Sequence, residues 1–218
     1  MNMKKRMLSI VLSVAMAVST AVSAGSFSAF AVAQCVAYSG SNVNDQDYVQ
    51  WSDTVKSYLT VCDNGNYMRV QSGAIEGKLL VEYYSSDFEP LSTKLIDNEL
   101  PIFGAFYDSG NNYYVLSGQE NPKQNDSLEV FRITKYDKNW NKIKSCGLYG
   151  ANTTVPFDAG SARMTHSGDH LLVRTCHEMY KSSDGNNHQS NVTIEVDMPS
   201  MTITDSYTGI MNVDYGYV

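Results

Sequence analysis

One sixteen-residue pattern is written three times in this chain: residues 58–73 read YLTVCDNGNYMRVQSG, 103–118 read FGAFYDSGNNYYVLSG, and 161–176 read SARMTHSGDHLLVRTC. Aligned without gaps, a turn triplet recurs as Asp63-Asn64-Gly65, Asp108-Ser109-Gly110 and His166-Ser167-Gly168. A valine follows at a common place, as Val70, Val115 and Val173. Spacing of this kind marks an array of supersecondary units, each too small to bury its apolar surface alone.

Each copy has the character of an antiparallel hairpin. Small and apolar residues lead into a polar turn, and a run rich in Val, Tyr and Leu leads out. Glycine supplies the positive φ of a tight turn, while Asp, Asn and Ser satisfy backbone groups locally. A second hairpin follows in two copies, YSSDFEPL from Tyr84 and YDKNWNKI from Tyr136, which agree at the tyrosine, the Asp/Asn, the aromatic and the Leu/Ile. The third copy keeps this frame loosely, through Asp197 and Ile203. Two hairpins per unit predict a four-stranded antiparallel sheet of roughly 45–60 residues, the size of a propeller blade.

On these residues the chain resembles the secreted bacterial β-propellers of kelch-like or TolB-like type, from Tyr58 to about Tyr207. The resemblance rests on the Asp-Asn/Ser-Gly turn and the Tyr-x-x-Asp/Asn-Phe/Trp outer hairpin. Kelch double glycines, WD dipeptides and the Ser-x-Asp-x-Gly box are absent, so no subfamily follows. It implies an all-β fold, an incomplete β-propeller with blades over 58–102, 103–160 and 161–210 and the start of a fourth at 214–218. Gly104, Ala105, Gly160, Ser161 and Ala162 suit the taper of inner strands. A β-sandwich with look-alike hairpins is the competing architecture. Closed propellers typically have about four to eight blades. Three therefore predict an N-terminal portion of a longer protein, or closure by further blades or a second chain.

Ahead of the repeats, Lys4, Lys5 and Arg6 precede an apolar stretch and then small residues around Ala29–Ala33. This is the pattern of an export signal over 1–33, cleaved after Ala31 or Ala33, and it predicts a secreted, extracellular protein. The stretch is broken by serines and falls short of the about 20 apolar residues a membrane span needs. Cys35 follows Gln34, where a lipobox needs a small residue. Residues 34–57 form a polar leader or partial strand.

The whole chain has a formal net charge of −7, and the signal carries three basic residues and no acidic one. An acidic surface repels phosphate backbones and anionic membranes, so no nucleic-acid partner is expected. Of the four cysteines, Cys62 and Cys146 belong to different strand ranks, beyond the about 7 Å Cα separation a disulfide tolerates. Free thiols are the simpler expectation. Asn125, Asn152 and Asn191 open glycosylation sequons that matter only in a eukaryotic host.

All four histidines fall between His166 and His188. His166 and His170 belong to the hairpin turn, whereas His177 and His188 bracket the opposite end. At the rise of a strand the two pairs lie roughly 20 Å apart, so they form no single site. The segment 176–189, CHEMYKSSDGNNHQ, reads as a long loop carrying His177, Glu178, Tyr180, Asp184 and His188 as ligand-binding candidates. Folding back at Asp184-Gly185 would bring His177 against His188. Arg163, on an inner strand, is placed at the channel mouth, either to hold an anion or to pair with a neighbouring Asp. His177-Glu178 is no HExxH helix, because Lys181 stands in the second histidine's place, and Asp137-x-Asn139-x-Asn141 lacks the calcium-loop glycine. No cofactor or metal motif is present, and neither is a Walker loop, a GxSxG elbow or a GxGxxG.

Two functions of different classes follow. One is a recognition module for a glycan, peptide or cell-surface partner on the 176–189 side. The other is a propeller enzyme (lyase, hydrolase or sulfotransferase) using histidine as base and Arg163 for an anion.

Overall fold

The computed structural model describes residues 54–158, 160 and 162–209. The export signal, Cys35, most of the polar leader, Ser161 and the expected fourth-blade start lie outside the described residues. Ser57–Val61 (β1), Tyr67–Ile75 (β2), Lys78–Tyr84 (β3) and Pro90–Asp97 (β4) form sheet 1 in sequence order, all antiparallel. Ile102–Asp108 (β5), Tyr113–Gly118 (β6), Glu129–Tyr136 (β7) and Lys142–Tyr149 (β8) form sheet 2 in the same manner. Sheet 3 contains Thr153–Pro156 (β9), Arg163–Ser167 (β10), His170–Lys181 (β11), Asn187–Asp197 (β12) and Thr202–Tyr207 (β13). No helix occurs among the described residues, and the fold is that of an incomplete β-propeller.

The inner hairpins turn where glycine was expected to turn them. Gly65, Gly110 and Gly168 have φ of 78°, 89° and 56°, conformations that side chains with a Cβ rarely adopt.

The sheets stack through two apolar seams. In the first, Met68, Val70, Leu79 and Val81 of sheet 1 share a core with Phe106, Val115 and Trp140 of sheet 2. In the second, Tyr114, Leu116 and Ile133 of sheet 2 share a core with Leu171, Val173 and Ile194 of sheet 3. Burying each such side chain contributes about 1.5–3 kcal/mol relative to exposure. These seams are what fix the sheets against one another.

The three aligned valines do not play one role. Val115 and Val173 face the preceding sheet, but Val70 faces the following one. It pairs with Val81, on the side where Tyr83 meets Trp140. The true counterpart of Tyr113, which pairs with Tyr136, is Tyr67, which pairs with Tyr84. The first hairpin's turn, from Val61 to Tyr67, is one residue longer than the second's, from Asp108 to Tyr113. A one-residue offset exchanges the two faces of a strand.

The outer hairpins share a device. Phe88, Trp140 and Met201 each occupy the left-handed region, at φ of 62°, 63° and 49°. Trp140 and Met201 are buried in the seam toward the preceding sheet, 4% and 3% exposed. Phe88 instead stacks on Tyr67, centroids 4.4 Å apart, and is 58% exposed. Lysines of the preceding sheet reach over to the turns they face. Lys94 donates to the Asn139 carbonyl, and Lys144 to that of Ser200 at 2.6 Å. Trp140 Nε1 donates to the Tyr83 hydroxyl at 3.1 Å.

Sheet 3 departs from the expected boundary at Gly160. Its inner rank already begins with β9, which pairs with the last part of β11, while β10 pairs with the first part. Phe157, just after β9, adopts φ 62° and packs into the second seam. Gly104 and Gly118 make room for it. A Cβ on Gly104 would lie 2.4 Å from the Phe157 ring, and one on Gly118 would lie 2.8 Å from it.

Candidate functional site

The segment expected as a loop is mostly strand. β11 continues to Lys181 and β12 begins at Asn187, so residues 182–186 alone make the turn. Gly185 closes it at φ 86°. The cause is β9, whose pairing with His177, Glu178 and Met179 supplies backbone partners that extend β11.

His177 is therefore not an exposed ligand residue. It is fully buried, its cross-strand neighbour is Ser190 and not His188, and its Nδ1 shares a 2.7 Å hydrogen bond with Thr153 Oγ1. Its Nε2 meets no hydrogen-bond geometry among the described residues, although the Thr208 backbone exerts a weak pull. Burial holds the imidazole neutral, down to about 4. A base sealed in this way reaches no substrate.

Glu178 lies on the opposite side of β11, half-buried, with Oε1 accepting from Thr154 Oγ1 at 2.6 Å. Tyr180 is half-buried and stitches sheet 3 to the loop of residues 119–128. Its hydroxyl accepts from Asn121 Nδ2 at 3.0 Å, and it titrates above the ordinary tyrosine range through burial first and then the Asp126 carboxylate. Asn121 is itself buried and also receives Asn125 N at 2.9 Å. Asn187 Nδ2 donates to the Met179 carbonyl at 2.8 Å. Glu178 and Tyr180 are thus gathered at one end of sheets 2 and 3, with Asn121, Thr154 and Asn187 as members the sequence reading missed. Thr154 was visible only as part of a sequon, and nothing local marks Asn121.

Asp184 and His188 stand exposed at the tip, bonded to each other at 2.8 Å. The Asn186 amide and then His188 hold the Asp184 carboxyl below its usual range. Beside them, Gln189 Nε2 donates to Asp158 Oδ2 at 2.6 Å. This end is a polar rim with its side chains already oriented.

Arg163 is elsewhere. It is exposed at the start of β10, its Nη1 donates to the Ala162 carbonyl at 3.2 Å, and among the described residues it forms no ion pair with an Asp or Glu. Its charge reaches Tyr58 of β1, where it opposes the burial that pushes that phenol up to about 12. His166 and His170 lie at the far end of the strands. His166 Nδ1 is bonded to the Tyr107 hydroxyl at 2.8 Å across the second seam, and His170 to Glu195 at 2.7 Å. The turn histidine is thus also a contact between sheets.

Cys62, Cys146 and Cys176 are free thiols. No three His, Cys, Asp or Glu side chains gather in metal-binding array among the described residues. No helix among them is long and apolar enough to cross a membrane.

No family model matches the chain, and no curated protein matches it by sequence. Solved structures do. A GH43 β-1,3-galactosidase with galactodeoxynojirimycin aligns at a TM-score of 0.38 and 11% identity, over 73% of this chain and 47% of that one. A mutant of Synechocystis ACO aligns at 0.44 and 9% identity, over 76% and 41%. Drosophila Plexin A in complex with Semaphorin 1b aligns at 0.34 and 11% identity, over 65% and 41%. The chain spans less than half the length of these structures.

Proposed function

We propose that this chain is an exported recognition module that binds a glycan or a protein partner at the end carrying the 182–186 turn and the 119–128 loop. The observation that supports it is the contrast between two sets of groups at that end. Asp184, His188, Asp158 and Gln189 are held in pairs at the surface and are free to exchange those bonds for a ligand's hydroxyls or amides. The groups that would serve as an acid or base are engaged: His177 is sealed in the core and Glu178 is bonded to Thr154. Pre-oriented polar groups on a rigid sheet scaffold favour binding, because little side-chain entropy is lost on association.

A glycan array and a cell-surface binding assay with the purified protein test the reading. Asp184→Ala with His188→Ala should abolish retention while circular dichroism and melting temperature stay unchanged. Full retention by that double variant, or turnover of a bound glycan, would overturn it.

A further inference from the structure

The face of sheet 1 turned away from sheet 2 is sealed along its middle and open at its sides. Met68 and Val70 of β2 and Leu79 and Val81 of β3 pack into the first seam, so the alternate residues Gln71, Leu80 and Glu82 lie on the other face. Gln71 pairs with Leu80 across the two strands, and all three residues are 0% exposed. Their neighbours on the flanking strands share that face yet stand in water. Leu59 of β1, opposite Arg69, is 60% exposed, and Leu95 of β4, opposite Leu80, is 50% exposed.

Open margins beside a sealed middle give the width of what lies on this face. A whole sheet seals its neighbour to the edge: on the seam side of β4, Ile96 is only 9% exposed. With strands about 4.8 Å apart, one segment of chain laid along β2 and β3 covers the middle pair and leaves β1 and β4 bare. The outer turns agree with a narrow cover. Trp140 and Met201 are buried against a preceding sheet, whereas Phe88 folds back onto Tyr67 of its own sheet and stays mostly exposed. Among the described residues, no sheet precedes sheet 1.

The chemistry of the cover follows from what it seals. Glu82 is paired with Arg69 at 3.6 Å, and buried polar groups such as Gln71 and Glu82 keep hydrogen-bonding partners. The cover therefore brings polar groups together with an apolar contact for Leu80. Residues 34–53 have that composition. Val49 and Trp51 alternate with Tyr48, Gln50 and Ser52, the period-two pattern of a half-buried extended segment. Their place in the chain suits the face as well, because they lead into β1, the strand beside β2. Extended, they span at most about 70 Å, against about 30 Å for the length of β2. Residues 210–218 are fewer and follow β13, at the outer edge of sheet 3.

We propose that residues 34–53 lie along β2 and β3 as a cap that ends the array at sheet 1. The cap occupies the face that a further sheet or a second copy of the chain would need, as terminal caps do in other repeat arrays.

Photo-crosslinking of the whole chain tests it, with p-benzoylphenylalanine in place of Leu59 or Leu95. Both positions border the covered strip and stand in water, so neither probe disturbs the core. Mass spectrometry of the linked peptides should find residues 34–53 captured from one or both positions. Mixing isotope-labelled with unlabelled chains should show that the links lie within one molecule. The same probe at Leu172, on the face of sheet 3 turned away from sheet 2, should not capture that segment. Links to residues 210–218, links between two copies, equal capture of 34–53 from Leu172, or no capture from either position would each overturn the proposal.

Discussion

His177 and Thr153 form a buried hydrogen bond that joins the short strand β9 to the end of β11. Because the histidine is neutral inside the fold and protonated more readily outside it, the pair makes stability depend on pH. The folded-state value is about 4 against an ordinary 6.5, so the unfolded chain binds more protons between those limits. The contribution is complete above the free-histidine range and is lost as pH falls toward 4. Its full size is about 3 kcal/mol, since each tenfold difference in proton affinity between the two states is worth about 1.4 kcal/mol. Urea unfolding at a series of pH values should show this loss, and His177→Gln should flatten it while lowering stability at neutral pH by about 1–3 kcal/mol.

Phe157 and the glycines facing it act as one fitted unit. Gly104→Ala should destabilise by about 1–3 kcal/mol through overpacking against the Phe157 ring. Phe157→Leu in the same molecule should recover part of that loss. Additive losses in a double-mutant cycle would show that the ring moves aside without cost.

Trp140 and Phe88 share a turn conformation but not a setting. Trp140→Ala should cost about 3–5 kcal/mol, as for other large buried aromatic truncations. Phe88→Ala should stay within about 1 kcal/mol, because its side chain is mostly in water. Thermal melts of the two variants side by side measure the difference.

Gly110 isolates backbone strain from packing. A Cβ there meets no atom within 4 Å, yet φ is 89°. Gly110→Val should therefore cost more than about 1 kcal/mol from conformation alone, and Gly110→Asn distinctly less. Equal melting temperatures for the two would remove the strain argument.

Much of the fold was legible because its signals are local. A glycine that must adopt positive φ announces a turn from three or four neighbouring residues, and all three inner turns were found that way. Register is less local. The gapless alignment matched Val70 to Val115, but the longer first turn moved sheet 1 by one position and exchanged its faces. His177 was misread for a related reason. Its burial depends on Thr153 and Pro156, which arrive from well upstream as β9, and no periodicity in the 176–189 segment reports their presence. Tyr180 lies on β11 and not on a loop, and its partner Asn121 shows no local mark.

The buried outer turns give the stack a direction. Trp140 and Met201 are pegs, and each enters a socket made by the sheet before it, never by the sheet after. Such an array is polar in the way a row of interlocking bricks is polar. Two arrays meeting peg side to peg side would set two bulky turns against each other with no socket for either. A sheet joining either end would have to arrive in the same sense as the three already stacked, so the arrangement excludes mirror-fashion pairing through these turns and admits head-to-tail addition.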